Sequence, residues 1–419
     1  MKRTFISFLV AGFISFSGLS QQDIGFEDVY QLIDQNNFFK AKDVYSTTKN
    51  SISPIHQKFI EAFLDNAFGR LTESNEKMTE LQNQFSQFSD SLQVALYAIK
   101  ADNFVKLFEY KEAKTATEFI LENYENILSK EEVDDYRNNL VIWTAIENQP
   151  KQQITINGSK KLTIKEDKFG GKNLTVAIDN DSLDFLFDTG ANFSVIVRSV
   201  AEKYRMNMIP VSIEVGGTKK IFAQIVVCPE FYLGHIKIQN AVFLVVKDKD
   251  LSLSIPFFKY KILGIIGYPI MAALKEVQIT KDGYFIIPEK ETVFASSNMA
   301  MCGLLPIISI EGNPYIFDTG AAETTFFKPY YLANRDEIEK RYKIKTIRYA
   351  GAGGIVKEKG YEIDAKLNFF DREIILNKVQ LSKAEFPYIK HLWGAIGVDV
   401  IGQFEKMTLN FNQMFIKFE

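Results

Sequence analysis

The segments FLFDTGA (residues 185–191) and YIFDTGA (residues 315–321) lie 130 positions apart, and each ends an apolar run on an Asp-Thr-Gly turn. Each therefore delivers one carboxylate, Asp188 or Asp318. The offset recurs downstream. ILGIIGYP carries Ile266-Gly267 and LWGAIGVD carries Ile396-Gly397, so both glycines fall 79 residues after their aspartate, from 188 to 267 and from 318 to 397. The tails VQITKDGYFII (277–287) and MTLNFNQMFIK (407–417) keep the same register, Phe285-Ile286 answering Phe415-Ile416. Landmarks repeated without net insertion imply two copies of one folding unit. A duplicated unit with one carboxylate per copy is the plan of a paired-carboxylate hydrolase.

The rest of the chain fits around that plan. With 419 residues it exceeds what a single hydrophobic core serves, so two or three domains are expected. Residues 1–20 carry Lys2 and Arg3, an apolar stretch of about a dozen residues and a small-residue stop, the layout of an export signal and too short for the ~20 residues that span a bilayer. The expectation is an exported chain, periplasmic or secreted, with an uncleaved membrane anchor as the alternative. Residues 21–150 show apolar spacing of helical period, as at Val29, Leu32 and Ile33, at Val94, Leu96, Tyr97 and Ile99, and at Leu107, Phe108 and Tyr110. They read as antiparallel helical hairpins. After Pro150 the pattern alternates and breaks at Asn-Gly, Asn-Asp and Asp-Gly turns, which marks short strands. The expected architecture is an all-α helical-hairpin domain (21–150), then a mainly β two-lobed fold with lobes over 151–290 and 300–419 and a polar link at 288–300.

Peptide hydrolysis requires an activated water, a proton for the leaving nitrogen and a polarised carbonyl. Two carboxylates about 3 Å apart cannot both ionise, so one serves as base while the other is an acid. The pair needs no cofactor or metal. Gly190 and Gly320 permit a turn too tight for a side chain, and the hydroxyls of Thr189 and Thr319 are placed to bond the opposite loop.

These residues resemble the aspartic proteases, and among them the retropepsins. In that family Asp-Thr-Gly-Ala is followed after two variable residues by Ser or Thr, here Ser194 and Thr324. The apolar-apolar-Gly step that packs behind the catalytic loop corresponds to Ile265-Ile266-Gly267 and Ala395-Ile396-Gly397. The resemblance implies glycine-rich substrate flaps, for which Val215-Gly216-Gly217-Thr218 and Gly351-Ala352-Gly353-Gly354 are the candidates, with Gly216, Gly217, Gly353 and Gly354 as the flap glycines. It also implies a peptide or protein substrate and a site at the lobe interface. It runs from residue 155 to the end and leaves the helical region untouched, where FFKAKDVY (38–45) and YKEAKTATEFI (110–120) only loosely resemble tetratricopeptide-type hairpins. The acidic residues that often follow the motif are replaced by Asn192-Phe193 and Ala322-Glu323, and the arginine that often ties the retropepsin dimer is missing. Retropepsins assemble from two chains; here both motifs share one, so activity as a single chain is expected.

The remaining features constrain by exclusion. A net charge of −3 offers no footprint for nucleic acid. The glycines at 351–354 lack the Lys-Ser/Thr ending of a phosphate cradle and read as a hairpin tip. His56, His235 and His391 have no ligand spacing. Cys228 and Cys302 read as two buried apolar residues, with one bridge between them as the other option. The competing functional reading is a retired protease fold that serves as a scaffold, with residues 22–150 binding a protein partner.

Overall fold

The computed structural model describes residues 24–156, 160–255, 258–386 and 389–419. The expected export signal at 1–20 lies outside them. The chain forms two compact units, one made of Pro150–Met299 with Leu304–Glu419, the other of residues 24–149 with Ala300–Gly303.

The helical unit consists of α1 (Ile24–Asp34), α2 (Phe38–Thr48), α3 (Pro54–Ala67), α4 (Leu71–Leu81), α5 (Asp90–Lys106), α6 (Tyr110–Tyr124) and α7 (Lys130–Ile146). The pairs α1/α2, α3/α4 and α5/α6 close by the same turn. In each, one residue adopts positive φ, at Asn36 (58°), Gly69 (74°) and Phe108 (57°). Its N–H and the next bond back to the ending helix: Asn36 to Ile33 and Asn37 to Leu32, Gly69 to Asn66 and Arg70 to Asp65, Phe108 to Val105 and Glu109 to Phe104. This pairing satisfies the last helical carbonyls and reverses the chain in three residues. Phe108, which the helical spacing places on a helix face, is thus a turn residue. Helix α7 starts on a capping box, Ser129 accepting from the Glu132 N–H and Glu132 from that of Ser129. Phe26, Tyr30, Phe59 and Phe63 form one aromatic core, and a buried ion pair between Asp102 and Lys106 (2.6 Å) is knitted to α3 through Asn66. Burying such a pair is costly, and the asparagine partner offsets part of that cost.

In the β unit, each half is built around one crossed arrangement. In the first, Asp181–Phe187 pairs antiparallel with Lys172–Ile178 and parallel with Gly264–Ile266 (Leu186 opposite Ile265, Phe187 opposite Ile266). Gly264–Ile266 pairs antiparallel with Ser194–Val197 on its other side. The second half does the same. Asn313–Phe317 pairs antiparallel with Leu305–Ile310 and parallel with Gly394–Ile396, which is flanked in turn by Thr325–Phe326. A strand threaded between the two arms of a loop fixes where that loop ends. The side chains leading into it, Phe185, Phe187 and Phe317, are wholly buried.

The halves join through a seam of antiparallel hairpins. Its strands run in the order Lys161–Glu166, Tyr284–Ile286, Glu276–Thr280, Lys406–Asn410 and Phe415–Phe418. The junction itself is Glu276–Thr280 against Lys406–Asn410, five paired residues from Glu276 opposite Asn410 to Thr280 opposite Lys406. Beyond the last strand, Asn298 continues the pattern, its side chain donating to Ile416 O (2.8 Å) and accepting from Ile416 N (2.7 Å). The polar link therefore ends in ordered pairing, and a strand begins at Met299. Phe187 packs on Phe285 and Phe317 on Phe418, so both aspartate-bearing strands rest on the seam. Cys228 and Cys302 are buried free thiols. No helix among the described residues is long and apolar enough to cross a membrane.

Candidate active site

Asp188 and Asp318 emerge at the ends of the two buried strands, each held by its backbone to the threaded strand: Asp188 N to Ile266 O at 3.1 Å and Asp318 N to Ile396 O at 3.0 Å. The two turns then grip each other. The Thr319 hydroxyl accepts from Thr189 N (3.0 Å) and donates to Phe187 O (2.9 Å). The Thr189 hydroxyl accepts from Thr319 N (2.9 Å) and donates to Phe317 O (2.6 Å). Both threonines are buried, so all four bonds are made away from water, where leaving a partner unmet costs most. A hydroxyl is called for twice over here, because it both donates and accepts at one atom.

The grip brings the carboxyl groups of Asp188 and Asp318 into hydrogen-bonding contact. Burial, then the adjacent Asp318 charge, then that hydrogen bond push the Asp188 carboxyl well above the usual carboxylate range, against the opposing pull of the Gly190 N–H. Within each turn the aspartate accepts from its own loop: Gly190 N to Asp188 Oδ1 at 2.8 Å, Gly320 N and Ala321 N to Asp318 Oδ1 at 2.9 and 3.0 Å.

The glycines serve by their lack of a side chain. A Cβ at Gly190 would stand 2.7 Å from all three Asp318 carboxylate atoms, and one at Gly320 would be 2.5 Å from Asp188 Oδ2 and nearer still to the other two. Each carboxylate thus occupies the space that the opposite glycine leaves open. Neither glycine has a positive φ, so space rather than backbone conformation requires them.

Ser194 and Thr324 lie behind the turns, accepting from Gly267 N and Gly397 N, both at 3.1 Å. Tyr268 N and Val398 N then bond Ala191 O (3.0 Å) and Ala321 O (2.8 Å). Gly216 and Gly217 lie in the turn after Met208–Val215, and Gly353 and Gly354 (φ 88° and 107°) at the tip joining Lys345–Gly351 to Gly354–Phe369. The two tips meet. Thr218 N donates to Ala352 O (2.9 Å), and the Thr218 hydroxyl reaches Ala352 O (2.9 Å) and Gly354 O (2.6 Å). Thr218 belongs to the first flap candidate read from the sequence, which assigned its hydroxyl no role, although a hydroxyl directly after two glycines is a signal. Asp399 escaped the sequence reading. It accepts at Oδ1 from Thr324 N (2.9 Å), the Thr324 hydroxyl (2.7 Å) and Val400 N (3.0 Å). Its signal is a broken repeat, since Gly-Val-Asp stands where the first copy has Gly-Tyr-Pro. Among the described residues, no group of three or more His, Cys, Asp or Glu is placed to hold a metal ion.

Residues 174–270, which include the first turn and its threaded strand, match the family model described as aspartyl protease. The resemblance to retropepsin-like aspartic proteases drawn from the motifs agrees with that match. The crystal structure of a retropepsin-like aspartic protease from Rickettsia conorii is similar at 15% identity and a TM-score of 0.21, over 33% of this chain and 91% of that one. A search of curated proteins found no match. The family match over residues 174–270 supports a protease-type function.

Proposed function

We propose that the chain is an aspartic endopeptidase whose dyad is Asp188 and Asp318, working as a single polypeptide. The observation that carries this reading is the reciprocal threonine grip, because it holds two half-buried carboxyls side by side with one raised above the ordinary range. Such a pair retains one proton between them near neutrality and titrates as a unit. The ionised member takes a proton from a water held between the carboxyls while the protonated member hydrogen-bonds the scissile carbonyl. The water oxygen bonds the carbonyl carbon, and the carbonyl oxygen becomes a hydroxyl by taking the second member's proton. On collapse, the peptide nitrogen receives a proton from the dyad, the C–N bond breaks, and the carbonyl re-forms by returning its hydroxyl proton. Neither member is consumed. The meeting glycine tips at Thr218 and Ala352 are the elements that would cover a bound peptide.

The test is turnover of a mixed peptide library by purified protein. Asp188→Asn and Asp318→Asn should each cost ~10²-fold or more, the scale of losing one acid–base partner. Both should stay folded, as asparagine is nearly isosteric. Turnover close to wild type in either folded variant would refute the dyad. A wild-type chain that cleaves nothing would favour the scaffold reading.

A further inference from the structure

The two halves of the site are alike down to the hydroxyl behind each turn, and they part company one step further back. In the first half, the residue two past the threaded-strand glycine is Pro269, which has no side-chain acceptor. In the second half it is Asp399, whose Oδ1 collects three hydrogen bonds, two of them from Thr324. Donating to a carboxylate fixes the Thr324 hydroxyl proton, which leaves its lone pairs to face Gly397 N. Gly397 is in turn enclosed by the loop it supports. A Cβ there would stand 2.7 Å from Glu323 C and 2.8 Å from Ala321 O. The chain of contacts runs Asp399, Thr324, Gly397, and then along Gly394–Ile396 to Ile396 O, which receives Asp318 N.

We propose that Asp399 is a positioning residue for Asp318, so that the second half of the dyad is clamped by a charged acceptor while the first is held by a neutral hydroxyl alone. Asp399 touches no reacting atom. It acts by setting the hydroxyl orientation at Thr324 and with it the register of residues 318–324 on the threaded strand. What matters is the acceptor oxygen, which an amide also supplies. Removing the acceptor frees the Thr324 rotor and loosens one carboxylate of a pair whose chemistry depends on sub-ångström placement.

This inference rests on the peptidase reading for its kinetic consequence and not for its structural one, and the experiment has an arm for each. In the kinetic arm, Asp399→Ala should lower kcat roughly 10- to 100-fold with KM nearly unchanged. Asp399→Asn should keep kcat within about threefold and leave the pH–rate profile superimposable on wild type, because the amide oxygen accepts the same bonds. Asp399→Ala with Thr324→Val should be no worse than the poorer single variant, since both act through one contact. In the second arm, amide hydrogen exchange is followed by mass spectrometry in the Asp318→Asn background, where turnover is irrelevant. Asp399→Ala should speed exchange in the segment around 318–326 and leave the segment around 188–196 unchanged. Unaltered exchange at 318–326, equal impairment by the alanine and asparagine variants, or additive losses would each overturn the proposal. If the wild type proves inactive, the peptidase reading falls and the exchange arm alone decides the clamp.

Discussion

Replacing Gly320 by alanine adds a single methyl group at the point where the two halves of the dyad interlock. The new Cβ would stand 2.5 Å or less from each Asp188 carboxylate atom, about 1 Å short of ordinary contact even for the most distant of them. The carboxylate cannot simply swing away, because Gly190 N and the Asp318 carboxyl hold it. Nor can the loop retreat without breaking the Thr189–Thr319 bonds. The clash is therefore absorbed as a displacement of Asp188 by roughly 1 Å, which misplaces a reacting group at a cost of ~10²-fold in rate. Stability should suffer less. Overpacking costs ~1–3 kcal/mol, and alanine returns ~0.4–1 kcal/mol by restricting the unfolded chain at a position without positive φ. Gly320→Ala should thus melt a few degrees below wild type while kcat falls by two orders of magnitude. Gly190→Ala, with 2.7 Å to the facing carboxylate, should follow with a smaller loss. Peptide turnover and thermal melting on the same preparations make the comparison. Gly320→Ala with turnover within about threefold of wild type would show that the loops have room to spare, and the interlocked geometry would be refuted.

Two further outcomes are expected. Thr218→Val removes the hydroxyl that ties one glycine tip to the other, so KM should rise two- to fivefold, the scale of ~1 kcal/mol for a net hydrogen bond, and trypsin should cut faster after the exposed Lys357 and Lys359; unchanged KM and cleavage would leave the contact without a role. Glu276, 1% exposed at the seam, meets opposing influences: burial raises its carboxyl, but the hydrogen bonds from Gln278, Thr292 and Asn410 prevail and hold it below the usual range. A folded-state pKa below the unfolded one stabilises at higher pH, and that stabilisation is lost as pH falls through the folded value. Glu276→Gln should therefore melt well below wild type at pH 7 and close to it under strongly acidic conditions, whereas an equal gap at both would mean that the carboxylate charge contributes nothing.

What the sequence made legible was whatever is local or repeated. Asp188 and Asp318 declare themselves because the turn chemistry fits within seven residues, and the glycine steps at 267 and 397 because their spacing is shared. The turn at Phe108 was hidden for the opposite reason. Its neighbours continue the apolar period, and only the two back-bonds to Val105 and Phe104 make positive φ tolerable there, while Asn36 and Gly69 are residue types that advertise the same turn. Asp399 and Glu276 are ordinary acids in the sequence. Their meaning comes from Thr324, 75 positions away, and Asn410, 134 positions away, which only the completed fold brings alongside.

The seam also bears on how the chain comes to be made. Strand Glu276–Thr280 finds its partner only when Lys406–Asn410 appears, about 130 residues later. At ~5–20 residues per second of synthesis, a fully formed first lobe spends on the order of ten seconds with that hydrogen-bonding edge bare. An unpaired edge is a template for another copy. Nascent chains on one message, or a product cut short before residue 406, would therefore be prone to pair through the edge that Lys406–Asn410 normally covers, so that strand guards against aggregation as well as joining the two halves.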